Sequence, residues 1–382
     1  MNAVLSALVV AAFALAPPAL AADPHPPQVT VSFLAEPAPI VQEGATKLVY
    51  EMALTNVVAG RYVVDSIEAR AGDTDAIFDA KALAAMTQRF DQRGAAPAPG
   101  DPLTLEGGRG AVVFLMLDLG KAQAPATILH RLRLIDDKGV AHVVEPAPLA
   151  VAQERPIVVG PPLRGQWIAG DSVHNGPDAA HRRAMIVFDG RAFIAQRYAI
   201  DWMQVRDVDS KLTTWKGPED QNASYFCYDQ PILSVADGTV VAASDGMAEN
   251  VPHAGTRAEP ITADNVGGNH VVIEIAPHRY AFYAHIRPGT VTAKVGERVH
   301  RGDVIGRVGN SGNSTEPHLH FHIDDQPSFL AGDGVPYAFD KGLASGAVQG
   351  DAAAEVATFG AIGPQKPFVD DYPAENALVT FE

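Results

Sequence analysis

His318 and His320 lie one residue apart in the run Gly309-Asn310-Ser311-Gly312-Asn313-Ser314-Thr315-Glu316-Pro317-His318-Leu319-His320-Phe321-His322-Ile323. On an extended strand side chains alternate, so both imidazoles face one side. One ring can then hold a metal ion while the other faces whatever the metal activates. His322 continues the same face. A polar row entered through a loop rich in Gly, Asn and Ser is not what core packing asks of a strand.

Other chemistry-bearing residues gather in the same half of the chain. Ten of the 13 histidines fall between 164 and about 330. His285 ends the strand pattern Tyr280-Ala281-Phe282-Tyr283-Ala284-His285, and Asp201 ends Arg197-Tyr198-Ala199-Ile200-Asp201. Val271–Ile275, Val295–Val299 and Arg301–Val308 read as further short strands joined by turns, and Asp237-Gly238 between apolar runs reads as a hairpin. His253, His270, His278 and His300 read as solvated loop or strand-end residues, and Asn269 as a turn residue or part of a groove wall. Cys227 is the only cysteine; it has no disulfide partner and no local base, so an inert buried thiol is expected.

The ordered set Tyr283-Ala284-His285, Gly302-Asp303-Val304-Ile305-Gly306, Gly309-Asn310-Ser311-Gly312 and Pro317-His318-Leu319-His320-Phe321 resembles the lysostaphin/LytM-type zinc endopeptidases over residues 190 to 325. Together these motifs are far more specific than any one of them. The resemblance implies an antiparallel β-sheet peptidase domain, bound Zn2+, and hydrolysis of peptide cross-links in bacterial peptidoglycan. It places metal ligands at Asp201 and His320, and the histidines that handle the water's proton and the oxyanion at His318 and His285. The family's first ligand, a histidine, falls on Arg197.

Arginine has no lone pair for a metal and repels a cation. Beside Asp201 it would instead form a bidentate pair and remove that ligand too. Four residues of straight strand span about 13 Å, whereas ligands on one zinc lie about 3–4 Å apart. The segment 197–201 must therefore bend, or Arg197 must belong elsewhere. A third donor is available upstream from His174 or His181, with His181 favoured because it directly precedes the apolar run Ala184–Phe188; His322 is a further candidate. The opposing reading is a metal-free relative in which an Arg197–Asp201 pair replaces the ion and the groove binds cell-wall peptide or a partner cell-wall hydrolase.

The elements that carry these residues are mainly β. Residues 28–155 alternate apolar and polar positions, as in Leu48–Leu54 and Ala111–Leu117, with a turn at Asp136-Asp137-Lys138-Gly139; a small accessory β-sandwich without catalytic residues is expected. Arg155–Pro162, rich in Pro and Gly, marks a boundary. A peptidase-like domain is expected over 164–340, with loops 207–230 and 245–268 walling its groove, and a tail over 341–382. Met1–Ala21 reads as a secretory signal, with a short apolar core and a small-x-small cleavage pattern. Periplasmic or secreted localisation without a membrane anchor follows. The net charge of -16, with no basic patch beyond the pair Arg182-Arg183, argues against nucleic-acid binding.

Overall fold

The structure is a computed structural model that describes residues 25–90, 102–208, 211–347 and 364–382. The expected signal segment, 1–21, lies outside the described residues. No helix among those described is long and apolar enough to cross a membrane.

The first half forms two antiparallel sheets around one apolar core. In one, Ala45–Asn56 lies between Val29–Phe33 and Gly110–Asp118. In the other, Tyr62–Ala71 lies between Thr127–Asp136 and Thr74–Asp79. Alternation along Ala45–Asn56 sends Leu48, Tyr50, Met52 and Leu54 into the core shared with Ile67, Leu132 and Leu134. The intervening Val49 and Glu51 face the opposite way, and Val49 joins the core of the second half instead. The sheet is therefore buried on both faces.

The second half is built on a sheet whose order runs Ile157–Val159, Tyr337–Ala347, Ala377–Phe381, Gly165–Gly170, Ile200–Met203, Leu319–Asp324, Arg279–Ile286, Asn269–Ala276, Gly238–Ser244 and Arg298–Val299. Lys366–Asp371 pairs with Tyr337–Ala347 off this path. The chain end is thus no tail: three strands after 336 enter the sheet. Phe381 packs on Trp202 and Phe339 at ring-centroid distances of 5.4 and 5.2 Å, which joins that end to the core of the second half.

Asp237-Gly238 does not turn a hairpin. Pro231–Leu233 pairs with Val304–Arg307, whereas Gly238–Ser244 pairs with Asn269–Ala276, so this turn passes the chain from one sheet to another. The expected turn at Asp136–Gly139 is formed, with the Val140 amide donating to Asp136 Oδ1 at 2.8 Å.

Candidate metal centre

Antiparallel register sets Asp201 directly opposite His320, and Ala284 opposite His320 on the other side. Residues paired across a sheet share a face, so His320 Nδ1 reaches Asp201 Oδ1 at 2.9 Å while the small Ala284 leaves space above it. His285, next to Ala284, would by alternation face away. Its backbone is left-handed, with φ of 62°, beside a bulge in the pairing of Asn269 and Val271. That twist returns the ring to the same side, 4.8 Å from the ring of His318 and 5.7 Å from that of His320.

Arg197 lies in the turn before Ile200–Met203, so the segment bends as the spacing required. Its guanidinium leaves the site. Nε donates to Glu51 Oε2 at 2.9 Å and Nη2 to Asp333 Oδ1 at 3.4 Å. The Arg197–Asp201 pair is not formed. His181, on the short helix Ala180–Arg183, brings Nε2 to 3.5 Å from Asp201 Oδ1. One donor atom each from His181, Asp201 and His320 lie within 4.8 Å of one another. His174 lies outside this group: its Nδ1 accepts the Gly176 amide at 3.0 Å. His322 is set behind His320, its Nδ1 3.0 Å from His320 Nε2, and stacks on Phe282 at 4.5 Å.

Backbone carbonyls fix three of the rings. His181 Nδ1 lies 2.8 Å from Asp171 O, His285 Nδ1 2.8 Å from Ser311 O, and His318 Nδ1 2.9 Å from Glu316 O. A carbonyl only accepts, so each Nδ1 carries the hydrogen and a neutral ring turns an Nε2 lone pair into the groove. Donation from His320 Nε2–H to His322 Nδ1 likewise leaves a lone pair at His320 Nδ1. These nitrogens converge on one carboxylate: His318 Nε2 also lies 3.5 Å from Asp201 Oδ1. Acceptors this close need a proton or a cation between them. Two imidazole nitrogens and a carboxylate are a donor set that zinc takes, and the separations of 2.9 and 3.5 Å from Asp201 Oδ1 to His320 Nδ1 and His181 Nε2 suit bonds of about 2 Å.

In the metal-free chain the electrostatics hold a proton where a cation would sit, and His181 must give up that proton to ligate. Burial raises the Asp201 carboxyl, but the His318 and His181 rings outweigh it and hold Asp201 well below the usual carboxylate range. Burial lowers His181, yet Asp171 and Asp201 outweigh it and push it up to about 10. Burial keeps His320 below its ordinary value, and holds His285 well below with help from His318 and His320. These two are neutral at pH 7, the form a ligand or proton acceptor needs.

The groove has a volume of about 340 Å³. Arg257, Val266 and Gly267 of the loop 245–268 line it, together with Asn313–Thr315, Gln196 and Phe329. No described residue of 207–230 does so. His270, expected in solvent, lies edge-on to Phe329 at 4.9 Å, with Nδ1 on Gly268 O at 2.8 Å. Asn269 is no turn residue: fully buried, it binds Met247 N at 2.8 Å and Met247 O at 2.9 Å, tying the loop to the sheet. Cys227 is buried, its thiol pushed up to about 12 by burial and by Glu316.

Sequence reasoning missed Asp171, whose carboxylate accepts the Ala180 and His181 amides at 3.0 and 3.1 Å, and Glu51. A signal for Glu51 exists: it is the one charge in the otherwise apolar centre of Leu48–Leu54.

Residues 224–330 match peptidase family M23. The match includes His285, His318 and His320 and begins after His181 and Asp201. Among curated proteins, the chain is 30% identical over 139 residues to the peptidoglycan DD-endopeptidase ShyA of Vibrio cholerae serotype O1. That stretch is 35% of this chain and 27% of the relative, so the chain spans about a quarter of that protein's length. Among solved structures, a point mutant of the catalytic domain of the prophage-encoded M23 protein EnpA from Enterococcus faecalis aligns at TM-score 0.27 and 19% identity, covering 48% of this chain and 93% of that one. The catalytic domain of the antimicrobial peptidase lysostaphin from Staphylococcus simulans aligns at TM-score 0.21 and 21% identity, covering 32% and 84%.

Proposed function

Since the chain carries a peptidase family M23 domain of the LytM and lysostaphin type, we propose that it is a secreted or periplasmic zinc metalloendopeptidase that hydrolyses peptide cross-links of bacterial peptidoglycan. The observation that carries this reading is the convergence of His181, Asp201 and His320 donor atoms within 4.8 Å. His181 fills the vacancy that Arg197 leaves in the family's ligand set. The three residues would hold the ion, with His322 orienting His320 from behind.

Bound zinc would polarise the scissile carbonyl and lower the pKa of an attacking water. His285 and His318 would handle the protons. His318 was expected to take the water's proton and His285 to steady the oxyanion. With its Nδ1–H committed to Ser311 O, a neutral His285 has no hydrogen at Nε2. It therefore starts as a proton acceptor and can donate to an oxyanion only after it has taken up a proton. His318 faces the groove with the same tautomer and is the second member of the pair. Asn313, Arg257 and Phe329 offer the bound peptide a polar edge and an aromatic wall.

The opposing reading, an inactive binder of cell wall or of a partner hydrolase, rests on Arg197 standing where a ligand is expected; the Arg197–Asp201 pair it called for is not formed, since Arg197 turns to Glu51 and Asp333. The test is digestion of purified peptidoglycan sacculi by the full chain, with release of cross-linked fragments followed by chromatography. Cleavage that disappears in His320→Ala and on chelation supports the proposal. Binding to sacculi without cleavage, in the presence of added zinc, would refute it.

A further inference from the structure

His181 sits on a helix of only four residues, Ala180–Arg183, whose N-terminal residue Ala179 gives no side-chain cap. One turn of helix cannot hold itself in water. Its position must come from what it touches: Asp171 accepts the Ala180 and His181 amides from the same half, and the next two residues, Arg182 and Arg183, reach across to the first half of the chain. Arg182 Nη2 donates to Glu51 Oε1 at 2.9 Å and to the carbonyls of Tyr50 and Leu115, each at 3.2 Å. Its Nη1 donates to Asn175 Oδ1 at 2.7 Å, which ties down the approach to the helix. Arg183 donates to Ala85 O at 2.7 Å and Thr87 O at 3.1 Å, with its guanidinium 4.9 Å from the Phe114 ring centre.

Glu51 is fully buried. A carboxylate taken out of water needs charged partners. It has two, Arg182 on one oxygen and Arg197 on the other. Arg197 occupies the place where a ligand was expected, and Arg182 adjoins the residue that stands in for that ligand.

We infer that the N-terminal sandwich is part of the metal site: Glu51, acting through Arg182 and Arg197, and the carbonyls of Ala85 and Thr87, acting through Arg183, position the turn that delivers His181. The sandwich is then no spacer, and Glu51 is a positioning residue for a ligand it does not touch. This inference rests on the proposed role of His181. It carries a linkage: a sandwich that holds His181 in place raises zinc affinity, and bound zinc in turn tightens the sandwich against the second half.

The test uses the full chain, with zinc affinity measured by chelator competition and the visible spectrum of the Co2+-loaded protein as a reporter of the ligand set. The variants are Glu51→Gln, Arg183→Ala and His181→Ala, each checked for folding by its thermal transition. Arg183 is only half-buried, so its variant keeps the experiment decisive if Glu51→Gln does not fold. Both positioning variants should bind zinc more weakly by about tenfold or more, the scale of losing an outer partner of a ligand. Their Co2+ spectra should move towards that of His181→Ala. Zinc affinity within twofold of wild type in Arg183→Ala, with the wild-type spectrum, while His181→Ala loses the ion, would overturn the inference and leave the ligand assignment standing. Wild-type affinity in His181→Ala would overturn both.

Discussion

Substituting Arg197→His restores the residue that the family motif asks for, and a reading from the motif alone would expect better zinc binding. The structure predicts the opposite. Arg197 is 4% exposed and contacts Glu51 at 2.9 Å and Asp333 at 3.4 Å. Taking one partner from a buried ion pair costs about 3–5 kcal/mol. Glu51 keeps Arg182, at 2.9 Å, so the lower end, about 3 kcal/mol, is the appropriate figure. An imidazole is too short to replace a guanidinium on both carboxylates, and burial keeps it uncharged. For a chain of this size such a loss lowers the melting midpoint by roughly 4 °C. The assay is a thermal melt followed by circular dichroism, paired with zinc affinity by chelator competition. Arg197→His should melt earlier and bind zinc no more tightly than wild type. Tighter zinc binding at an unchanged melting temperature would mean that position 197 faces the ion, and the Glu51 cluster would lose its role.

Replacing His322 by Leu removes the acceptor for His320 Nε2 but keeps an apolar contact for Phe282; zinc affinity should fall by about 10- to 100-fold, and a loss under threefold would count against it. Burial depresses His130 from 6.5 to about 4. The unfolded chain therefore binds more protons between those values, so stability is full above about pH 6.5 and is lost as pH falls towards 4. The loss is roughly 3 kcal/mol; urea melts at pH 7 and 4.5 on wild type and His130→Gln should show an acid slope that is shallower in the variant. Cys227 should resist an aromatic disulfide reagent in the folded chain and react once urea unfolds it, since burial pushes its thiol up to about 12; rapid labelling of the native protein would contradict that.

What the sequence made legible was local. The one-residue spacing of His318 and His320 placed both on the groove side, because strand alternation needs no partner to be known. Asp201 was legible through the motif, although only the register of Ile200–Met203 against Leu319–Asp324 sets it opposite His320. His285 was found by motif and not by alternation, which would have turned it away; a left-handed residue at a bulge is invisible in a strand pattern. The destination of Arg197 was not legible, because its partner Glu51 lies 146 residues earlier in a different sheet. For the same reason Arg182-Arg183 read as only a pair of charges, and nothing local showed that Arg182, 1% exposed, is buried against Glu51. Of the segment expected as a tail, Ala377–Phe381 was legible as a closing strand; Tyr337–Ala347 was not, because its Ala and Gly residues blur the alternation of a strand that pairs with Lys366–Asp371 and Ala377–Phe381.

The most direct measurement is the zinc content of the purified full chain, by elemental analysis after equilibration with zinc and dialysis, for wild type, His181→Ala and His320→Ala in parallel. The account predicts about one zinc per chain in wild type, a value set by the one three-ligand group among the described residues, and its loss in both variants alike. Zinc retained by His181→Ala at the wild-type level, or absent from wild type itself, would contradict it.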